Sequence, residues 1–181
     1  MRQLNENTLI DQVNEGNTGA FKELVNRYER PVSNVVIGLL GNTAEAEEIA
    51  QDVFIRFYKN SSRFRKESSL KTYLTRIAIN LSLNELKKRK RTKERFVAEE
   101  EINVPYGGES EDSPSGYDLK EAVEIALQQL DVRQRAVFVL RIIEGYDTSE
   151  TAKILNIPKG TVLSRLHRAQ EHMRKLLQHF F

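Results

Sequence analysis

Residues 97–118 divide this chain in two. Glu99-Glu100-Glu101, Pro105, Gly107-Gly108, Ser110, Pro114, Ser115 and Gly116 supply charge and turn formers with few apolar groups to bury. Such a segment cannot offset the entropy of ordering itself, so it reads as a flexible linker. The linker permits the remaining residues, 1–96 and 119–181, to form two small independent bodies in a chain otherwise long enough for one ordinary domain. Fully extended, the linker would span ~75 Å; as a coil it would average ~26 Å.

Charge follows the same division. Residues 1–96 hold 18 Lys and Arg against 12 Asp and Glu, a net +6. Residues 97–118 hold none against 7, a net −7, and residues 119–181 hold 10 against 7, a net +3. Two basic blocks around an acidic spacer suggest a polyanionic partner, because each cation that neutralises a phosphate releases condensed counterions. The chain has no cysteine, which excludes disulfides, thiolate metal sites and cysteine nucleophiles. Its longest apolar run, Val35-Val36-Ile37 followed by Leu39-Leu40, falls far short of the ~20 residues a membrane span needs. Met1-Arg2-Gln3-Leu4-Asn5-Glu6 lacks the apolar core of a signal peptide, so a cytoplasmic protein with no membrane insertion is expected.

Both blocks read as helix after helix. Leu9, Val13, Ala20, Phe21, Leu24, Val25 and Tyr28 recur at helical spacing around a turn at Gly16-Asn17-Thr18-Gly19. Gly41-Asn42 ends the next stripe, and Asn42 with Glu45 predicts a capping box opening a helix over about 43–60. Leu70 to about Arg91 predicts another long helix. After the linker, Leu119, Val123, Ala126, Leu127 and Leu130 form one apolar stripe, and Ala136, Val137, Val139, Leu140 and Ile143 another. No period-two strand pattern and no hairpin signal appear, so the fold class is all-α.

The densest local signal lies in 144–169. Asp147 and Glu150 form a capping box, Asn156 suits a left-handed helix end, Ile157 plugs the turn and Pro158 opens a second helix. Val162, Leu166 and Ala169 make its inner stripe, and Lys159, Thr161, Ser164, Arg165, His167 and Arg168 occupy its other face. Such a helix-turn-helix suits the major groove, where Arg reads guanine and hydroxyls hold phosphate. An amphipathic surface hairpin with solvated charges fits the spacing as well. His167 and His172 are five apart, the wrong spacing for one metal on one helix face.

The run Asn156 to Ala169 resembles region 4 of the extracytoplasmic-function sigma factors of the sigma-70 family. That resemblance implies a helix reading the −35 promoter element, with Ser164, His167 and Arg168 near bases and Lys159, Thr161 and Arg165 on backbone. Leu163 stands where that family usually has Lys or Arg, a lost polar contact or a contact to a thymine methyl.

The resemblance extends to residues 21–91. Ala46 to Phe54 looks like region 2.2, which implies that Glu48, Gln51, Asp52 and Phe54 dock on the β′ coiled coil of RNA polymerase. Read from residues alone, the same stretch is a surface helix with acids at its positive end. Leu70 to Arg91 resembles regions 2.3 and 2.4, which melt the −10 element and hold a flipped base. By that match Arg65, Lys66, Ser68 and Ser69 form the pocket, and Tyr73, Asn80, Lys87, Lys88 and Arg89 contact the melted strand. Tyr73 replaces the family's common Trp and equally fits simple core packing. The linker would thread toward the polymerase product path, or serve only to solubilise.

The resemblance thus implies a region 2 helical bundle over 1–96, an acidic linker over 97–118 and a region 4 helix-turn-helix over 119–181. Its partners would be core RNA polymerase, through the β′ coiled coil and β flap, and promoter DNA, both duplex and melted; an anti-sigma factor is a further partner the family allows. A helix-turn-helix regulator acting on duplex DNA without polymerase shares the basic helix but lacks use for the docking face. An enzyme is disfavoured, because Glu47, Glu48 and Asp52 fan around one helix and no phosphate loop or Ser-His-Asp set occurs. No catalytic residue, cofactor or metal ligand is expected.

Overall fold

A computed structural model describes residues 5–99 and 119–178. Helices α1 (Glu6–Asn14), α2 (Thr18–Leu40), α3 (Ala44–Asn60) and α4 (Leu70–Glu99) form the first module. Helices α5 (Leu119–Gln129), α6 (Val132–Phe138), α7 (Thr148–Leu155) and α8 (Lys159–Leu177) form the second. A 3-10 turn, Ser61–Arg63, follows α3, and a π-helical turn, Val139–Ile143, follows α6. No strand occurs among the described residues.

Side-chain caps set most helix starts. Asn17 accepts from the Ala20 amide at 3.0 Å and opens α2, one residue inside the expected turn. The cap of α3 is Thr43, whose hydroxyl accepts from the Ala46 amide, and not Asn42. Thr43 takes the extended backbone a cap requires, which Asn42-Glu45 spacing could not discriminate. Pro31 lies inside α2 without ending it. The fourth helix runs to Glu99, beyond the expected Arg91 and into the first residues of the acidic stretch.

The long helix α2 is the centre of the molecule, touching α1, α3 and α4 on its own side and α5 and α6 across the molecule. Leu24, Val32, Val35, Val36 and Leu39 of α2 meet Val53 and Phe57 of α3 and Leu70 and Leu74 of α4, all fully buried. Each contributes roughly 1.5–3 kcal/mol of apolar transfer. The second module closes around Ala126, Leu127, Val137, Val139 and Leu140. Leu119 and Ile143, expected on apolar stripes, are exposed instead: one starts α5, and the π turn re-aims the other.

The two modules pack directly on each other. Gly38 faces Val139 so closely that a Cβ on it would lie 2.7 Å from Val139 Cγ2. The buried Arg135 guanidinium reaches from α6 to Leu39 O at 2.6 Å, and to Gln128 O and Leu130 O at 2.6 and 3.0 Å. It therefore caps the carboxyl ends of α2 and α5 together. Removing this side chain strands several buried carbonyls. Arg135→Ala should lower stability by roughly 2–4 kcal/mol, read as a fall in the urea midpoint. Arg135→Lys, with a single point of donation, should recover only part.

Candidate nucleic-acid interface

The helix-turn-helix is built by local hydrogen bonding. Glu150 N–H donates to Asp147 Oδ1, and Asp147 N–H to Glu150 Oε2, both at 2.8 Å, completing the capping box. Asn156 ends α7 in the left-handed region at φ 52°. Ile157 N–H then returns to Ala152 O at 3.0 Å, and Pro158 O accepts from Thr161 and Val162. Val137, Ala152 and Val162 are buried together, with Ile157 and Leu166 packed against them. This plug fixes the angle at which α8 leaves the turn.

On the outer side of α8, Lys159, Ser164, His167 and Arg168 are exposed, while Thr161 and Arg165 are half-buried. The Ser164 hydroxyl donates to Thr161 O at 3.1 Å and keeps lone pairs for an incoming donor. His167 Nε2 lies 3.8 Å from Glu171, a loose exposed pairing. Leu163 is 55% exposed amid these polar groups. All six expected residues therefore share one helix, four of them fully presented.

The second basic surface lies on α4. Asn80, Lys87 and Lys88 are exposed and join Asn84, Arg91 and Thr92, three residues outside the expected strand contacts. Their spacing of three, four and seven from one another was the available signal. Arg89 differs from expectation. It turns inward to Leu40 O at 3.3 Å and to Thr43 Oγ1 at 3.4 Å, with Glu45 and Glu85 nearby. Only every third or fourth member of a basic run can face one side of a helix.

In the loop before α4, Arg65 and Lys66 are exposed, and Lys66 pairs with Asp11 at 3.0 Å from a left-handed backbone, φ 57°. Ser69 Oγ accepts from Thr72 N–H at 3.2 Å and opens α4, while Ser68 is half-buried. Tyr73 is half-buried with its ring 4.8 Å from Phe64 and 6.2 Å from Phe57. It belongs to a three-ring cluster and so has a packing role.

The third surface is α3. Glu48, Gln51 and Asp52 are exposed with Glu45 and Arg56, but Phe54 is only 6% exposed and points into the protein. Phe54 instead floors a groove between α2 and α3 with Val25, Ile37 and Ala50, rimmed by Glu29 and Glu47. That groove exists only once two helices lie side by side, which no local pattern in α3 reveals. Among the described residues no cluster of three His, Asp or Glu is placed to hold a metal, and no helix is long and apolar enough to cross a membrane.

A helix-turn-helix with an open polar face, beside a second helical module with its own basic ridge, defines a two-module DNA-binding protein. Residues 24–92 match sigma-70 region 2 and residues 120–173 match sigma-70 region 4. The chain is 35% identical to the ECF RNA polymerase sigma factor SigW of Bacillus subtilis, covering 93% of this chain and 95% of the relative. It is 30% identical to the ECF RNA polymerase sigma-E factor of Escherichia coli, over 97% of this chain and 96% of that one. Its fold is like that of the sigma factor RpoE in complex with the anti-sigma factor NepR from Bartonella quintana, with TM-score 0.70, 23% identity, and 87% and 96% of the two chains covered. CnrH, solved with the cytosolic domain of CnrY, gives TM-score 0.67 at 23% identity, covering 94% and 96%. The chain belongs to the extracytoplasmic-function sigma factors of the sigma-70 family. It binds core RNA polymerase and promoter DNA and acts in transcription initiation; the family consists of initiation factors and not catalysts.

The cap that opens the helix-turn-helix also titrates. The Glu150 and Ser149 amides hold the Asp147 carboxyl below the usual carboxylate range. A depressed carboxylate contributes stability above its unfolded pKa, ~3.9, that is lost as pH falls through the folded value. Asp147→Ala should therefore lower the melting temperature at pH 7, and the gap from the parent should narrow below about pH 4.

Proposed function

We propose that the three surfaces divide the work of initiation. Over residues 97–118 an acidic linker joins a region 2 domain, 1–96, to a region 4 domain, 119–181. The exposed acids and amide of α3, Glu48, Gln51 and Asp52, meet the β′ coiled coil, with Phe54 supporting them from beneath. The second module contacts the β flap. The Arg65–Ser69 loop receives a base from the melted −10 strand, and Asn80, Lys87 and Lys88 track its backbone. Arg89 serves the fold instead. In the −35 duplex Ser164, His167 and Arg168 approach bases while Lys159, Thr161 and Arg165 anchor phosphates.

The observation that carries this reading is the outer face of α8. Four polar and cationic side chains stand exposed there on a helix whose inner face is locked by Val162 and Ala169. Partners that occlude these faces would silence the protein, and the anti-sigma complexes of the two structural neighbours support such a regulator here. The chain acts in the cytoplasm and performs no chemistry of its own.

Run-off transcription with core polymerase on a promoter library tests the assignment. Arg168→Ala should shift −35 preference at one base pair by about 1–3 kcal/mol; a uniform loss across sequences would make it a phosphate contact. Replacing Glu48 and Asp52 with Lys should weaken core binding and leave binding to an isolated −35 duplex intact, measured by fluorescence anisotropy.

A further inference from the structure

We propose that the first helix braces the base-capture loop: Glu6 and Asp11 of α1 are positioning residues that fix the bend before α4 in the shape that discriminates the −10 base. The proposal rests on the reading above that this loop receives a base. Between Phe64 and Ser69 the chain has little of its own to hold a shape. Phe64 N–H reaches Ser61 O at 3.0 Å and Tyr73 N–H reaches Ser69 O at 3.1 Å, but residues 65–68 make no backbone-to-backbone hydrogen bond among the described residues. The chain bends over 66–68, and Lys66 sits at φ 57°, a left-handed conformation that is costly for a residue with a Cβ. Such a bend persists only where its surroundings determine it.

Two carboxylates of α1 supply those surroundings. Asp11 Oδ1 accepts from Lys66 Nζ at 3.0 Å within the bend, and Glu6 Oε1 accepts from Leu70 N–H at 3.3 Å where the bend ends. The other oxygen of Glu6 accepts from the Tyr28 hydroxyl of α2. Burial, and then the Glu6 carboxylate beside it, push the ionisation of Tyr28 up, so its hydroxyl stays a donor. One side chain thus joins three helices. Leu9, Ile10 and Val13, all buried, seat α1 on the core, so the brace is itself rigid. Glu6 and Asp11 are five residues apart, ~7.5 Å along the helix. The loop is therefore held at two separate points, which removes the pivoting a single tether would leave. A site ordered before its ligand arrives spends less of the binding on ordering and rejects a wrong base better. The same contacts reassign Lys66. Its ammonium is committed to Asp11, while Arg65, with a side chain 83% exposed and only a loose 3.9 Å pairing to Glu67, is the loop cation available to phosphate.

The test is binding of the full chain with core polymerase to single-stranded −10 oligonucleotides carrying each of the four bases at each position. The readout is the ratio of best to worst base at the captured position. Asp11→Asn and Lys66→Gln should each lower that ratio about threefold, the scale of an exposed ion pair, and the double variant should lower it no further. Glu6→Ala should lower it on the order of tenfold, and Glu6→Gln, which keeps an acceptor for Leu70, should recover most of the loss. Affinities for core polymerase and for a −35 duplex should not change. Asp11 and Lys66 lie on the surface, so their variants decide the matter whatever Glu6→Ala does to stability. If Asp11→Asn instead tightens binding to every sequence and steepens the salt dependence by ~0.7 in slope, Lys66 is a phosphate contact that Asp11 merely competes for, and the brace is overturned. Arg65→Ala combined with Ser68→Ala separates the two levels. Loss of discrimination in that loop variant but in no α1 variant overturns the brace alone; unchanged discrimination in the loop variant sinks the base-capture reading and the brace with it.

Discussion

A helix that ends inside a protein must find donors for its last carbonyls, and α2 ends where the two modules meet. Gly41, at φ 81°, turns the chain and donates to Ile37 O at 2.8 Å. Leu40 O accepts from Arg89 of α4, Leu39 O from Arg135 of α6, and Gly38 O from Gln128 of α5. Three distant segments thus converge on one helix end. The C-terminal partial negative charge of α2 attracts both arginines, and they in turn fix where α4 and the second module sit. Every functional face is positioned from this point.

Arg135 shows how a charge is tolerated there. Burial pushes its ionisation downward, and Asp131 only partly counters this. Its two terminal nitrogens are occupied by Leu39 O, Gln128 O, Gln128 Oε1 and Leu130 O. Concentrated dipoles from two helix ends replace the carboxylate that a buried cation usually requires. Because those dipoles belong to different modules, the same bonds that stabilise the guanidinium hold the modules together.

Signals confined to a few residues were legible in the sequence. Asp147 with Glu150, Asn156 and the Pro158 start each satisfy backbone groups within one or two turns, so spacing alone placed them. The exposed face of α8 followed from that register. Features that depend on a second element were not legible. Asn42 and Thr43 are both good caps, and the choice between them falls to the backbone entering α3. Arg89 is indistinguishable from its basic neighbours until α2 and α3 lie against α4. Phe54 has the composition of a docking residue and the burial of a core residue. Gly38, in the middle of an apolar run, is the clearest case: its meaning lies in Val139, a hundred and one residues away.

The arrangement of α4 follows from these constraints. A helix in a small domain ordinarily gives one face to the core and the other to water, so its polar side is free for a ligand. Here α4 has three tasks: the Leu74 and Ala78 side packs against α2 and α3, the Lys71 and Thr75 edge meets Glu144 and Tyr146, and the Asn80 to Arg91 ridge stays open. Placing the module contact beside the core and away from the ridge leaves the ridge cations solvated. Repulsion among those cations then falls on neither the core nor the interface, since Lys87, Lys88 and Arg91 point to water. The ridge and the module contact can therefore be changed independently, because they are written on different sides of one helix.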